Sequence, residues 1–329
     1  MALITVFTPS YNRAHLLNVA YQSLCLQTCK DFEWLIVDDG STDNTEVVVN
    51  RFIEEGKIAI QYCKKTNGGK HTAINMGTKE AEGELFWILD SDDSLPKDAI
   101  VKVINVWKSL KDDVDLGSDV DFDDDSDVSA DVRRSKSRSL SKSKLAGICG
   151  YMAHHDGTVI GSPIVENGTV ASSIDMRHKL HITGDMMEVW RTDVIREFPF
   201  PEIKGERFCP EALVWNRIAK KYPLYMIPDV IYYRDYLDGG LTDNIVKIRM
   251  KSPIASMMTY AELFYIDGPL QFPHKGECLK LPFLQKVKAA INYWRFAFCT
   301  SNRDVKIKGW GNLLAPVGYL MHLRDRWKI

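Results

Sequence analysis

What this sequence of 329 residues lacks narrows the field first. It opens MALITVFTPSYNR, without the basic stretch, apolar stretch and cleavage site of a secretion signal. No run of about 18 apolar residues occurs, so no membrane-spanning helix is predicted. Its seven cysteines, at 25, 29, 63, 149, 209, 278 and 299, show no paired metal-ligand spacing. With no signal, that pattern predicts reduced thiols and a cytoplasmic protein. Cys25 and Cys29, four apart, read as one packed helix face. Formal net charge is only −2, so there is no whole-chain pull toward nucleic acid. A dinucleotide-dependent oxidoreductase would need G-x-G-x-x-G after the first apolar run, and Thr8-Pro9-Ser10-Tyr11-Asn12 stands there instead. That class is set aside.

What is present is a beat of strands and helices. With 45% hydrophobic and 26% charged residues, the chain can bury a full core as one large domain or two. LITVFT (3–8), EWLIVDD (33–39), IAIQYC (58–63) and ELFWIL (84–89) are short, apolar runs rich in β-branched and aromatic residues. Helical rhythm follows each: over 14–27, from a Ser41-Thr42-Asp43 cap to about 54, from Asn67-Gly68-Gly69 to about 79, and after Pro96. This spacing predicts a parallel sheet wound with helices. Every one of these strands runs into polar or glycine residues. Ligands of open α/β sheets bind outside the strands' carboxyl ends, so a ligand site is predicted there.

Two segments stand apart. Over 112–144, ten aspartates are followed by six Lys/Arg among serines, which reads as a disordered insertion. The aspartates do not make a calcium loop: counting from Asp119, the sixth position is Asp124 rather than glycine. Residues 279–329 hold ten Lys/Arg against two Asp, interleaved with Phe283, Tyr293, Trp294, Phe296, Phe298, Trp310, Tyr319 and Trp327. They read as amphipathic helices, either with a solvated basic face or with a surface for an anionic membrane. Asn167-Gly168-Thr169 matches a glycosylation acceptor but reads as a turn in a cytoplasmic chain.

The chemistry concentrates in FWILDSDDSL (86–95), where Asp90, Asp92 and Asp93 crowd a strand end. Like charges repel, and a hard divalent ion, Mn²⁺ or Mg²⁺, would offset that repulsion while completing its shell with phosphate oxygens. The competing reading makes Asp92 or Asp93 a helix cap. Asp38 and Asp39 form a second pair, suited to a ribose hydroxyl or a uracil N–H, or to capping a turn. Lys70 can reach a phosphate. His71 reads as a surface or cap residue.

TPSYNR (8–13), LIVDDGSTDNT (35–45), NGGKHTAINMG (67–77) and LDSDD (89–93), in this order, resemble the family 2 glycosyltransferases of GT-A fold. Residues 181–220 resemble the acceptor half of members that build bacterial surface polysaccharides. The resemblance implies an α/β GT-A fold: a Rossmann-like, mostly parallel central sheet flanked by helices, with a helical C-terminal extension. It implies four parts: a nucleotide-sugar half (1–110), the charged insertion (111–145), an acceptor half (146–245) and a basic aromatic extension (246–329). It also implies an inverting, metal-dependent transfer of a sugar from a nucleotide donor, UDP foremost, to a glycan or lipid-linked acceptor at the inner face of the plasma membrane. Pro9, Tyr11, Asp39, Lys70 and Asp90 would hold the nucleotide. Asp92, Asp90 and Asp93 would hold Mn²⁺ or Mg²⁺. Gly184 and Asp185 would border the acceptor. Many members carry Glu-Asp where this chain reads Glu211-Ala212, so Glu211 is the expected base and Asp185 the reserve. Two rivals remain: a nucleotidylyltransferase, releasing pyrophosphate instead of nucleoside diphosphate, and a GT-A scaffold whose chemistry has lapsed.

Overall fold

Residues 2–110, 141–161, 166–235, 244–269, 278–302 and 304–328 are described by the structure, a computed structural model. The four predicted strands form: β1 (Ile4–Ser10), β2 (Phe32–Asp38), β3 (Ile60–Lys64) and β4 (Leu85–Ile88). They pair in parallel in the order β3-β2-β1-β4. Helices α1 (Leu17–Cys25), α2 (Thr45–Glu55), α3 (Lys70–Glu80) and α4 (Ala99–Ser109) connect and cover them. Both sheet faces are therefore buried, which is why these strands are apolar throughout. Tyr21 of α1 and Phe52 of α2 stack at 3.9 Å over one face, with Trp34 of β2 beside them.

Residues 146–233 extend the same sheet. β5 (Gly147–Ala153), β6 (Val170–Ala171), β7 (Met186–Arg191) and β8 (Leu224–Tyr233) complete the order β3-β2-β1-β4-β7-β5-β8-β6. β7 enters between β4 and β5 and runs antiparallel to both, while β8 pairs in parallel with β5. Three helices accompany them: α5 (Ser173–His178), α6 (Thr192–Glu197) and α7 (Glu211–Ala219). β6 is a two-residue strand, too short to leave a periodic signal.

Most of the charged segment lies outside the described residues. Its last four residues, 141–144, are folded, contrary to the sequence reading: Lys142–Lys144 form a 3-10 turn leading into buried Leu145. Asn167-Gly168-Thr169 is a turn, with Gly168 at φ +84°. Cys25 closes α1, whereas Cys29 lies beyond it, so the two do not share a helix face.

The C-terminal part comprises α8 (Ile245–Lys251), α9 (Pro253–Phe264), a small pairing of β9 (Gly268–Pro269) with β10 (Cys278–Leu279), α10 (Phe283–Ala297) and α11 (Ala315–Lys328). Met257, Phe264, Tyr293, Phe296 and Ile307 form a second core there. A bidentate pair, Arg217 to Glu262 at 2.6 and 2.8 Å, ties α9 to α7. Among the described residues, no helix is long and apolar enough to cross a membrane.

Candidate active site

Sheet order explains why the polar residues converge. Strand order reverses around β1, which lies between β2 and β4, and a crevice opens at that reversal. Ser10 pairs with Asp38 across the β1–β2 ladder, and Leu89 N donates to the Phe7 carbonyl at 2.8 Å. The tips carrying Pro9, Asp39 and Asp90 are thus side by side. Asn12, at φ +54°, clasps the first tip to the second: its Oδ1 accepts from Thr42 N at 2.8 Å and its own N donates to Ser41 Oγ at 2.8 Å. Tyr11 stands exposed on the rim and Pro9 is half-buried.

Asp39 is buried and engaged. Its Oδ1 accepts from Lys65 Nζ (2.7 Å) and Gly68 N (2.9 Å), and its Oδ2 accepts from Gly69 N (2.7 Å). The carboxylate therefore shapes the turn that starts α3. Gly69 has φ +97°, and a Cβ there would meet the Arg207 carbonyl oxygen at 1.9 Å. Asp38 turns away to close its own loop, accepting from Ser41 N and Tyr62 OH, both at 2.7 Å. His71 is not the surface residue expected from sequence. It is buried on α3, its Nδ1 has no partner among the described residues, and burial holds its pKa down.

Beyond β4, Asp90 and Asp93, but not Asp92, line a cleft of about 270 Å³ together with residues of β7, β8, α3 and α7. Lys70 Nζ bridges two acids of the cleft, 2.7 Å from Asp90 Oδ1 and 2.9 Å from Glu211 Oε1. Burial pulls the ammonium pKa down, but Asp90 and Glu211 outweigh it and the pKa rises. Glu211 is the first residue of α7, after Pro210. Asp93 receives a 2.7 Å hydrogen bond from Tyr232 OH, and burial with Asp90 nearby pushes it up to about 7. Tyr232 OH also accepts from Asp90 N at 3.0 Å, pinning the loop to β8. Asp92 is half-buried, and its carboxylate takes no partner among the described residues. Neither Asp92 nor Asp93 caps α4: its cap position is Asp98.

Residues 5–158 match the family model described as Glycosyl transferase family 2. That stretch, just under half of the chain, is similar to the family. An uncharacterized glycosyltransferase of Haemophilus influenzae is 34% identical over 105 residues, 32% of this chain and 42% of its own length. The minor teichoic acid biosynthesis protein GgaB of Bacillus subtilis is 32% identical over 114 residues, 34% of this chain and 13% of its own. The chain thus spans less than half the length of these relatives. Two solved structures share the architecture. S. aureus TarS 1-349 in complex with UDP aligns over 94% of this chain and 76% of that one, at TM-score 0.50 and 16% identity. The mannosyltransferase PcManGT from Pyrobaculum calidifontis, with GDP-Man and Mn²⁺, aligns over 99% and 82%, at TM-score 0.50 and 17% identity. The fold is GT-A.

In this chain the structure brings Lys70, Asp90, Asp93, Asp185 and Glu211 to one cleft, with Pro9, Tyr11 and Asp39 on the adjoining crevice. Asp185 does not stand free: Arg234 Nη1 donates to its Oδ2 at 3.1 Å. Gly184, at φ +80°, packs its backbone against Gly161 and offers its carbonyl to Arg177. The sequence reading missed Arg177, Glu188, Tyr232 and Arg234, all on the cleft wall. Glu188 had a signal, a lone acid inside the apolar run Met186-Met187-Glu188-Val189-Trp190. Burial pushes its carboxyl up to about 8, against the pull of Arg177. Arg177 and Arg234 carried no such signal, since only the fold brings α5 and the end of β8 together. Beside the cleft, Asp235 hydrogen-bonds with His154 (2.9 Å) and His155 (2.5 Å), and His155 with Ser94 (2.9 Å), clamping the acidic loop to the end of β8.

Proposed function

We propose that this chain is a metal-dependent, inverting glycosyltransferase. It would move a sugar from a nucleotide donor, UDP-linked by preference, to a hydroxyl of a glycan or lipid-linked acceptor in surface-polysaccharide synthesis. One observation carries the reading: a single ammonium, Lys70 Nζ, touches both the donor-side Asp90 and the acceptor-side Glu211. An acid able to take a proton from an acceptor thus faces the acids placed for a donor diphosphate, within one residue's reach. The UDP-bound TarS fold and the teichoic acid relative support the donor and product classes.

The donor set suits a hard divalent ion. Among the described residues no three His, Cys, Asp or Glu gather into a ready-made cage. Mn²⁺ and Mg²⁺ need only one or two carboxylates when substrate phosphates and water supply the rest. Asp92 and Asp90 would hold the ion, with Asp93 behind them on Tyr232. When bound, the ion supplies charge neutralisation for a departing diphosphate.

The remaining work falls to the chain's own groups. Pro9, Tyr11 and the Asp39-braced turn would seat the nucleoside, and Lys70 would shift its contact from carboxylate to phosphate. Glu211 would accept the proton of the attacking hydroxyl, on the side opposite the leaving group. Asp185, oriented by Arg234, and Gly184, fixed by Arg177, would border the acceptor. The enzyme would work in the cytoplasm against the inner face of the plasma membrane, where a lipid-linked acceptor resides. Glu211→Gln should keep donor affinity by calorimetry yet lose about 10²–10⁴ in transfer rate. Unchanged turnover would remove Glu211 from the mechanism. Release of pyrophosphate instead of nucleoside diphosphate would favour the nucleotidylyltransferase.

A further inference from the structure

The C-terminal helix α11 faces outward with the wrong chemistry for solvent. Leu313 is 79% exposed, Val317 42%, Leu320 65% and Trp327 92%. Val317, Leu320 and Trp327, spaced three and seven residues apart, lie on one face of α11 shared with exposed Arg324, and Leu313 lies in the 3-10 turn just before it. The sequence offered a solvated basic face as one reading. The structure shows an apolar one with a single cation in it.

That face cannot simply turn inward. On the opposite side, a Cβ at Gly318 would meet Trp294 Cβ at 2.4 Å and the Ile291 carbonyl at 2.9 Å, so α11 lies directly on α10. Asp325 is buried and paired with Arg295, and His322 is buried against Cys299. These contacts fix the helix about its axis.

We propose that the outward face of α11, with Trp310 and the basic residues around it, is a docking surface for an anionic lipid bilayer. The charge argues for this occupant. Residues 305–329 carry five Lys/Arg and one acid, and that acid, Asp325, is neutralised by Arg295. Lys306, Lys308, Arg324 and Arg326 are all exposed. At the Trp327 end, Arg326 shares a hollow of about 210 Å³ with Lys247 and Lys251, with no acid among the described residues lining it. Trp310 and Trp327 are amphipathic rings suited to a headgroup boundary. A second copy of this chain would bring the basic residues around the two apolar faces together, which a symmetric contact disfavours. The inference deepens the reading of a lipid-linked acceptor and rests on it for its purpose, though the binding itself needs neither donor nor acceptor.

The test is sedimentation of the full chain with vesicles of equimolar phosphatidylglycerol and phosphatidylcholine, beside vesicles of phosphatidylcholine alone. Binding to the anionic vesicles that weakens with salt is expected, with little binding to the neutral ones. Leu320→Glu combined with Trp327→Glu should lower partitioning at least about tenfold while leaving the melting curve in place, because both side chains are exposed. Leu26→Glu, an exposed leucine far away in sequence, should change nothing. Equal binding to neutral vesicles, or an unaffected double variant, overturns the proposal. So does light scattering that shows a dimer dissolved by the double variant with no lipid binding in the parent. Vesicle binding without donor turnover sinks the transferase reading alone. Turnover without vesicle binding sinks the docking surface alone.

Discussion

At the scale of residues, the three acids after β4 differ in their partners. Asp90 is held by Lys70 and Asp93 by Tyr232, which leaves Asp92 available to a cation. Asp92→Ala should therefore abolish Mn²⁺-dependent donor turnover with no loss of melting temperature, since no protein contact is removed. Full turnover by that variant at saturating Mn²⁺ would remove Asp92 from the metal site. Glu188 gives a pH signature. Its carboxyl ordinarily titrates near 4.5, and burial in the folded chain raises it to about 8. Between those values the folded state holds a proton that the unfolded state releases, so stability falls as pH rises through this window and levels off above it. Glu188→Gln should flatten that slope in melting curves taken from pH 5 to about 8; an unchanged slope would assign it to another group.

Elements explain what could be read in advance and what could not. β1 to β4 were legible because strands buried on both faces must be apolar, and polar or glycine residues mark where they stop. The acidic tips were legible for the same reason, since charges at the ends of buried strands are conspicuous. β6 and the antiparallel entry of β7 were not, because two residues carry no period and pairing direction is a long-range choice. Arg177 and Arg234 were hidden likewise, each ordinary in its own segment. His71 was misread because a polar residue on α3 looks solvated until the loop before α7 covers it. That same cover makes the start of α3 a rigid junction. Gly69→Ala would force a Cβ into the Arg207 carbonyl at a backbone angle that side chains avoid. The substitution should cost about 1–3 kcal/mol by chemical denaturation and weaken donor binding as well. A variant with parental stability and affinity would show that the loop around Arg207 yields freely.

Over the whole molecule, α7 and α9 together tie the sheet core to the helical part. The sheet core and the cluster of Met257, Phe264, Tyr293 and Phe296 meet where Arg217 grips Glu262. Phe296→Ala should destabilise the chain by about 3–5 kcal/mol through the cavity it leaves. Since α7 begins with Glu211, the loss should reach turnover below the melting temperature. Parental kcat up to the melting point would show the helical part to be energetically separate. The helical extension was foreseeable from its basic and aromatic composition. Which face it shows to the surroundings was not, because that depends on Gly318 and Asp325 meeting α10.

The brace that Asp39 applies to Gly68 and Gly69 has a kinetic corollary. Both amide protons are locked before any substrate arrives, so in deuterated buffer they should exchange slowly in the unliganded chain and gain little further protection from nucleotide. On the proposed function, a nucleoside entering this crevice would meet a finished mould, and its capture should proceed in one phase, without a waiting step for the turn to assemble.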